Sequence, residues 1–155
     1  LQNIRSMGVA LTPCIVPQAG EPTFQIGENE MELGMGIHGE KGIEACPLKT
    51  ADETVEELFK RITDDMPLER GDEVSVMVNG LGATPLEEQL ILYRRVYQLL
   101  EAAGVSVVMP HIGEYATSME MAGMSLTIFK LDAQLKKLLL SPAETPFYTN
   151  LNMLS

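Results

Sequence analysis

Cysteine, positive charge and long apolar runs are all scarce in this 155-residue chain, and each scarcity removes a class of protein. The two cysteines, Cys14 and Cys46, are too few and too far apart for a secreted disulfide framework, and they lack the paired CxxC spacing of zinc ribbons. A reducing, cytoplasmic setting is the expectation that follows. Lys and Arg total 11 against 22 Asp and Glu, a formal net charge of −11, so a phosphate backbone would be repelled at long range and nucleic acid is not an expected partner. Small anions stay admissible, because a local nest of backbone N–H groups binds phosphate even in an acidic protein. No apolar run approaches the roughly 20 residues of a membrane span, and the first residues do not form a basic-then-apolar signal peptide. The chain opens at Leu1 and its first methionine is Met7, which makes a fragment or domain of something longer the expectation.

What remains is 45% hydrophobic and long enough to bury most of its unfolded surface in one domain without a metal or disulfide staple. Met7 to Val16 and Glu30 to His38 read as two strands, joined by a loop carrying Pro17, Gly20, Pro22 and Gly27. Gly39 to Leu48 reads as a loop or short extended piece. Thr50-Ala51-Asp52-Glu53 has capping-box spacing, with Val55, Leu58, Phe59 and Ile62 at helical intervals behind it and Pro67 closing the helix near Met66. Val74, Val76 and Val78 alternate through a strand from Glu73 to Asn79, which ends in the turn Asn79-Gly80-Leu81-Gly82. Thr84-Pro85-Leu86-Glu87 reads as a second capping box, opening a helix that Gly104 stops. Strands follow over Val105 to Ile112 and within Met119 to Leu131, then a short helix over Ala133 to Leu139. The pattern predicts an α/β domain over residues 1–141, a mixed β-sheet with flanking helices, and an extended tail over 142–155.

Gly34-Met35-Gly36-Ile37-His38-Gly39 satisfies GxGxxG after a strand, but no helix opens behind it: Glu40-Lys41-Gly42 runs on towards Pro47. The dinucleotide fingerprint is therefore set aside. His38 then stands between glycines at a strand end, where the bare Gly36 and Gly39 let a small ligand approach imidazole and backbone. Neutral imidazole has a free lone pair near pH 7, so His38 reads either as a nucleophile or as a turn histidine bonded to a carbonyl; composition leaves both open. His111, the only other histidine, reads as a satisfied structural or surface residue. Cys14, Cys46, His38 and His111 supply ligand types without ligand spacing, and no metal is expected. The Asn79–Thr84 turn reads as a tight connection whose glycines supply positive φ, with an anion site as its rival. The ten methionines read as core filler, with Met31, Met35, Met119, Met121 and Met124 placed so that a subunit interface is the other reading.

At Gly8-Val9-Ala10-Leu11-Thr12-Pro13-Cys14, Glu30-Met31-Glu32-Leu33-Gly34-Met35-Gly36-Ile37-His38-Gly39-Glu40, Asn79-Gly80-Leu81-Gly82-Ala83-Thr84-Pro85 and Thr117-Ser118-Met119-Glu120-Met121-Ala122-Gly123, the chain resembles the dihydroxyacetone kinases. The likeness is to their substrate-binding subunit, extends through Leu126 to Leu131, and implies its second, C-terminal domain. It implies that His38 adds to the C2 carbonyl of dihydroxyacetone, or a similar short ketose, as a covalent hemiaminal. It also implies a kinase only within the whole protein, the isolated domain being inactive. A histidine and an aspartate of the first domain, which match nothing here, would help activate the substrate hydroxyl. ATP, or ADP with Mg, would sit on a partner module, leaving this domain without a cofactor of its own, and family members pair as homodimers. Paralogues of the subunit act instead as ketone-sensing co-activators that contact a transcription regulator, the alternative role. One departure is visible: many relatives have Gly-Glu-Pro-Gly after the histidine, whereas this chain has Gly39-Glu40-Lys41-Gly42, a slightly looser loop that keeps the nucleophile.

Overall fold

The computed structural model describes residues 1–15, 17, 20–22, 24–36 and 42–151. Its elements in chain order are β1 (Ile4–Ala10), β2 (Glu30–Leu33), β3 (Glu44–Pro47), α1 (Ala51–Asp65), β4 (Glu73–Gly80), α2 (Leu86–Ala103), β5 (Ser106–Gly113), β6 (Gly123–Leu131), α3 (Ala133–Leu139), β7 (Ala143–Glu144) and β8 (Thr149–Asn150). Six strands form one mixed sheet in the order β3-β2-β1-β6-β4-β5; β4 and β5 pair parallel through the α2 crossover, and the other pairs are antiparallel. The expected α/β class with a mixed sheet is what the chain adopts. The segment read as an extended tail carries the small hairpin β7–β8.

The helices begin and end for local reasons. Thr50 caps α1 with the full reciprocal box: its hydroxyl accepts the Glu53 N–H at 3.3 Å, and the Glu53 carboxylate accepts the Thr50 N–H at 2.9 Å. Gly104, at φ 73°, ends α2 in the left-handed conformation that glycine adopts without a Cβ penalty. The buried faces of these helices, Val55, Leu58 and Ile62 on α1 and Leu92, Val96 and Leu100 on α2, close over one face of the sheet. That face supplies Val9, Met31, Leu33, Val74, Val76, Val78, Leu126 and Ile128 to the same core. Arg94 of α2 pairs with Asp52 of α1, and Arg95 with Glu56, joining the helices along their solvent side.

Strand alternation gives the second face different chemistry. Ser6, Gly8, Ala10, Glu32, Ser75, Asn79 and Thr127 point there, small or polar, and those that are buried are hydrogen-bonded. The Ser6 and Thr127 hydroxyls meet at 2.8 Å, and Ser75 Oγ donates to the Met109 carbonyl at 2.7 Å. A second, smaller apolar cluster of Ala10, Cys14, Met35, Leu81 and Met121 forms where the loops cross this face.

Several expectations are corrected. The strand expected from Met7 to Val16 runs from Ile4 to Ala10, with Ile15 making only an isolated bridge to Pro22. The strand expected to reach His38 ends at Leu33, because Gly34 turns away at φ 77°. Met119 is exposed, but Met31, Met35, Met121 and Met124 are buried in the two cores, so the interface reading fails for these four.

Candidate functional site

The segment that carries the histidine motif begins and ends on the same rung of the sheet. Gly34 donates its N–H to the Gly8 carbonyl at 2.7 Å and then turns at positive φ. A Cβ on Gly34 would lie 2.8 Å from the Ile43 side chain, so the entry is packed directly against the exit. Met35 is buried in the second cluster, and its carbonyl approaches Gly8 so closely that a Cβ there would stand 2.7 Å away. Gly36 is half-buried. His38 and Gly39, the other predicted site residues, lie outside the described residues, with Ile37, Glu40 and Lys41. The chain re-enters at Gly42, whose N–H donates to Glu32 Oε1 at 2.6 Å, and Ile43 returns its N–H to the Leu33 carbonyl at 2.7 Å. Leu33 then pairs with Glu44 as β3 begins.

The Asn79–Thr84 turn is committed to holding the neighbouring loop. Asn79 is 1% exposed; its Oδ1 accepts the Tyr115 and Ala116 N–H groups, each at 2.8 Å, and its Nδ2 donates to the Ala116 carbonyl at 2.9 Å. Thr84 Oγ1 accepts the Gly123 N–H at 2.8 Å and donates to the Gly123 carbonyl at 2.7 Å. This hydroxyl therefore does not cap α2. The N-cap is Pro85, without a side-chain bond, and the expected second capping box does not form. Gly80 and Gly82 are not at positive φ either. They are bare because a Cβ on Gly80 would strike the Gln89 amide and one on Gly82 would strike the Ser118 and Met119 carbonyls. Three of the turn's N–H groups are also spent: Leu81 donates to Gly123, Ala83 to Met121 and Thr84 to Leu81. Glu87 and Glu88 occupy the first turn of α2 and oppose an anion there, so the tight-connection reading is the better supported.

These contacts bring four sequence motifs to one loop cluster. Leu11 donates to the Ala122 carbonyl at 2.7 Å, the Thr12 hydroxyl accepts the Ala122 N–H at 2.7 Å, and Ile15 N–H reaches Glu120 Oε1 at 2.6 Å. Cys14 packs in the second cluster, while Cys46 faces the helix-side core. His111 stands on β5, at the opposite edge of the sheet from Cys46. Its Nε2 lies 2.9 Å from the Tyr148 hydroxyl, its ring packs edge-on to Tyr115, and burial pushes its pKa below the usual histidine value. A satisfied structural histidine describes it.

Sequence reasoning missed Glu32. The only signal in the sequence is the alternation Met31-Glu32-Leu33, which sets the acidic side chain on the face opposite its apolar neighbours; its cross-strand neighbours Ala10 and Ala45 come from the sheet register.

A family model described as the Dak1 domain matches residues 1–147. The dihydroxyacetone-binding subunit DhaK of the PTS-dependent dihydroxyacetone kinase 2 from Listeria innocua is 46% identical over 146 residues, covering 94% of this chain and 44% of that protein. The L-erythrulose kinase of Pectobacterium atrosepticum is 44% identical over 151 residues, covering 95% and 26%. Among solved structures, a dihydroxyacetone kinase operon co-activator, DhaQ, superposes with a TM-score of 0.83 at 31% identity, covering 90% of this chain and 44% of its own. The dihydroxyacetone kinase from C. freundii, in complex with AMP-PNP and Mg2+, gives 0.80 at 30% identity, with 96% and 27% covered. The chain thus spans less than half the length of these relatives. With the family model matching nearly every residue, the chain belongs to the Dak1 domain family.

Proposed function

We propose that this chain is the ketone-gripping part of a kinase acting on dihydroxyacetone or a similar short ketose, and that His38 is the point of attachment. The observation that carries the reading is the match over residues 1–147, which spans the histidine motif and joins the chain to dihydroxyacetone-binding subunits and erythrulose kinases. The anchoring of the segment at Gly34 and at Gly42–Ile43 supports it, since a small-molecule trap needs a loop whose ends are fixed.

In the proposed step, the free lone pair of the neutral imidazole forms a bond to the C2 carbonyl carbon. The carbonyl π pair moves to oxygen, which takes up a proton, and the ring releases its N–H proton, leaving a neutral hemiaminal. A polyol such as glycerol has no carbonyl to accept this addition, so covalent capture separates ketone from polyol more sharply than hydrogen bonds to shared hydroxyls. Capture also fixes the terminal hydroxyl for phosphoryl transfer. A further domain of the same subunit would supply the groups that activate the hydroxyl, and a partner module would hold ATP, or ADP with Mg. The chain alone would transfer no phosphate. A cytoplasmic homodimer is the setting this reading carries with it.

The test is His38→Ala in the complete enzyme, which should abolish both ketone binding, read by calorimetric titration with dihydroxyacetone, and phosphoryl transfer. Retained turnover refutes the attachment. The likeness to the co-activator favours a second reading, a ketone sensor without kinase activity. Dihydroxyacetone binding by the complete protein, with no phosphorylated product from any donor, would select it.

A further inference from the structure

We propose that Glu32 is the positioning residue of this site: its carboxylate clasps the Gly42 N–H and so fixes the exit of the segment that presents His38. The inference rests on the assignment of His38 as the attachment point. Glu32 occupies the middle of β2, where its neighbours Met31 and Leu33 face the helix-side core, and its own side chain points to the second face yet is only 9% exposed. Room for it comes from Ala10 and Ala45, its cross-strand partners on β1 and β3.

Burying a carboxylate is far costlier than burying an amide or a hydrocarbon, and the geometry indicates what offsets that cost. Oε1 accepts the Gly42 N–H at 2.6 Å, and a hydrogen bond to an ionised acceptor is roughly twice as strong as its neutral counterpart. A glutamine would accept the same N–H, but more weakly. Gly42 is shaped to this contact: a Cβ there would lie 2.6 Å from Glu32 Cγ and 2.9 Å from Oε1, and would strike the Leu33 carbonyl. The Ile43 N–H bond to Leu33 follows at once, at 2.7 Å. One side chain therefore sets where the segment rejoins the sheet, while Gly34 and Met35 set where it leaves. Addition to a carbonyl needs the ring nitrogen in near-attack geometry, and a misplacement of about 1 Å costs on the order of 100-fold in rate.

A purely structural Glu32 makes a different prediction from a positioning one. Replacing Glu32 by leucine relieves the desolvation of a carboxylate but leaves the half-buried Gly42 N–H without its acceptor, two effects of opposite sign on the fold. Glu32→Leu in the complete enzyme should therefore change the melting temperature little, yet lose about 100-fold in kcat/KM, through weaker ketone binding, with faster exchange of the Gly42 amide. Glu32→Gln should fall between Leu and wild type. Wild-type kcat/KM in Glu32→Leu overturns the proposal, as does a loss that only follows the folded fraction with Gln behaving as Leu does. If Glu32→Leu does not fold, Glu32→Gln decides: reduced kcat/KM at an unchanged melting temperature supports the clasp, and wild-type kcat/KM overturns it. His38→Ala is measured alongside; if it still binds ketone and turns over, the attachment reading fails, whatever the Glu32 variants do.

Discussion

Asn79→Ala separates a structural latch from an anion-binding turn. The asparagine side chain satisfies three backbone groups of the β5–β6 connection: the N–H groups of Tyr115 and Ala116 and the carbonyl of Ala116. Truncation orphans all three at once. A buried polar group left unsatisfied costs about 1–3 kcal/mol, but Ala116 is exposed and Tyr115 half-buried, so water reaches part of what is lost and the lower end applies. At about 1 kcal/mol each, the total is about 3 kcal/mol. For a chain of this length that is a fall of about 6–12 °C in melting temperature, within the 5–15 kcal/mol typical of a domain, so the variant should still fold. Urea denaturation at fixed pH gives the free-energy change from the midpoint at constant slope, and amide exchange should accelerate at residues 115 and 116. A loss under about 1 kcal/mol with those amides still protected would refute the latch.

Two further outcomes follow from the same geometry. Gly82→Ala should cost about 1–3 kcal/mol because its Cβ meets the backbone carbonyls of Ser118 and Met119, which cannot rotate away; Gly71→Ala, open in space but at φ 93°, should cost only about 1 kcal/mol, and urea midpoints in the reverse order would contradict the packing argument. His111 has a folded-state pKa lowered by burial, so between that value and the ordinary one the unfolded chain binds more protons; stability should fall on acidification from neutral pH through this window, and His111→Gln should flatten that dependence in urea titrations across pH.

The parts of the fold legible in the sequence are those whose causes are local. The Thr50 box, the Gly104 stop and the Val74–Val76–Val78 alternation act within a few residues, and α1, α2 and β4 begin and end close to where those signals put them. The mixed sheet follows from two helices placed among consecutive strands. The misread features depend on distant partners. Thr84 has the spacing of a cap, but Gly123 claims its hydroxyl from 39 residues away. Gly80 and Gly82 read as φ-permissive, but their bareness answers to Gln89, Ser118 and Met119. The methionines are not among them: core filler is the first reading of their sequence, and Met31, Met35, Met121 and Met124 fill the two cores.

The candidate site divides along the same line. The residue types and order of the histidine motif, and through them the family, stand in the sequence, because a histidine flanked by glycines is a covalent property of the chain. Its support does not: Glu32 becomes the clasp of Gly42 only once β2 lies between β1 and β3, with alanines on both sides to admit a carboxylate. Asn79 and Thr84 become latches only once β6 lies beside β4. Local chemistry is written residue by residue, whereas the identity of a hydrogen-bond partner is settled by which strands become neighbours, and that depends on the packing of the whole sheet.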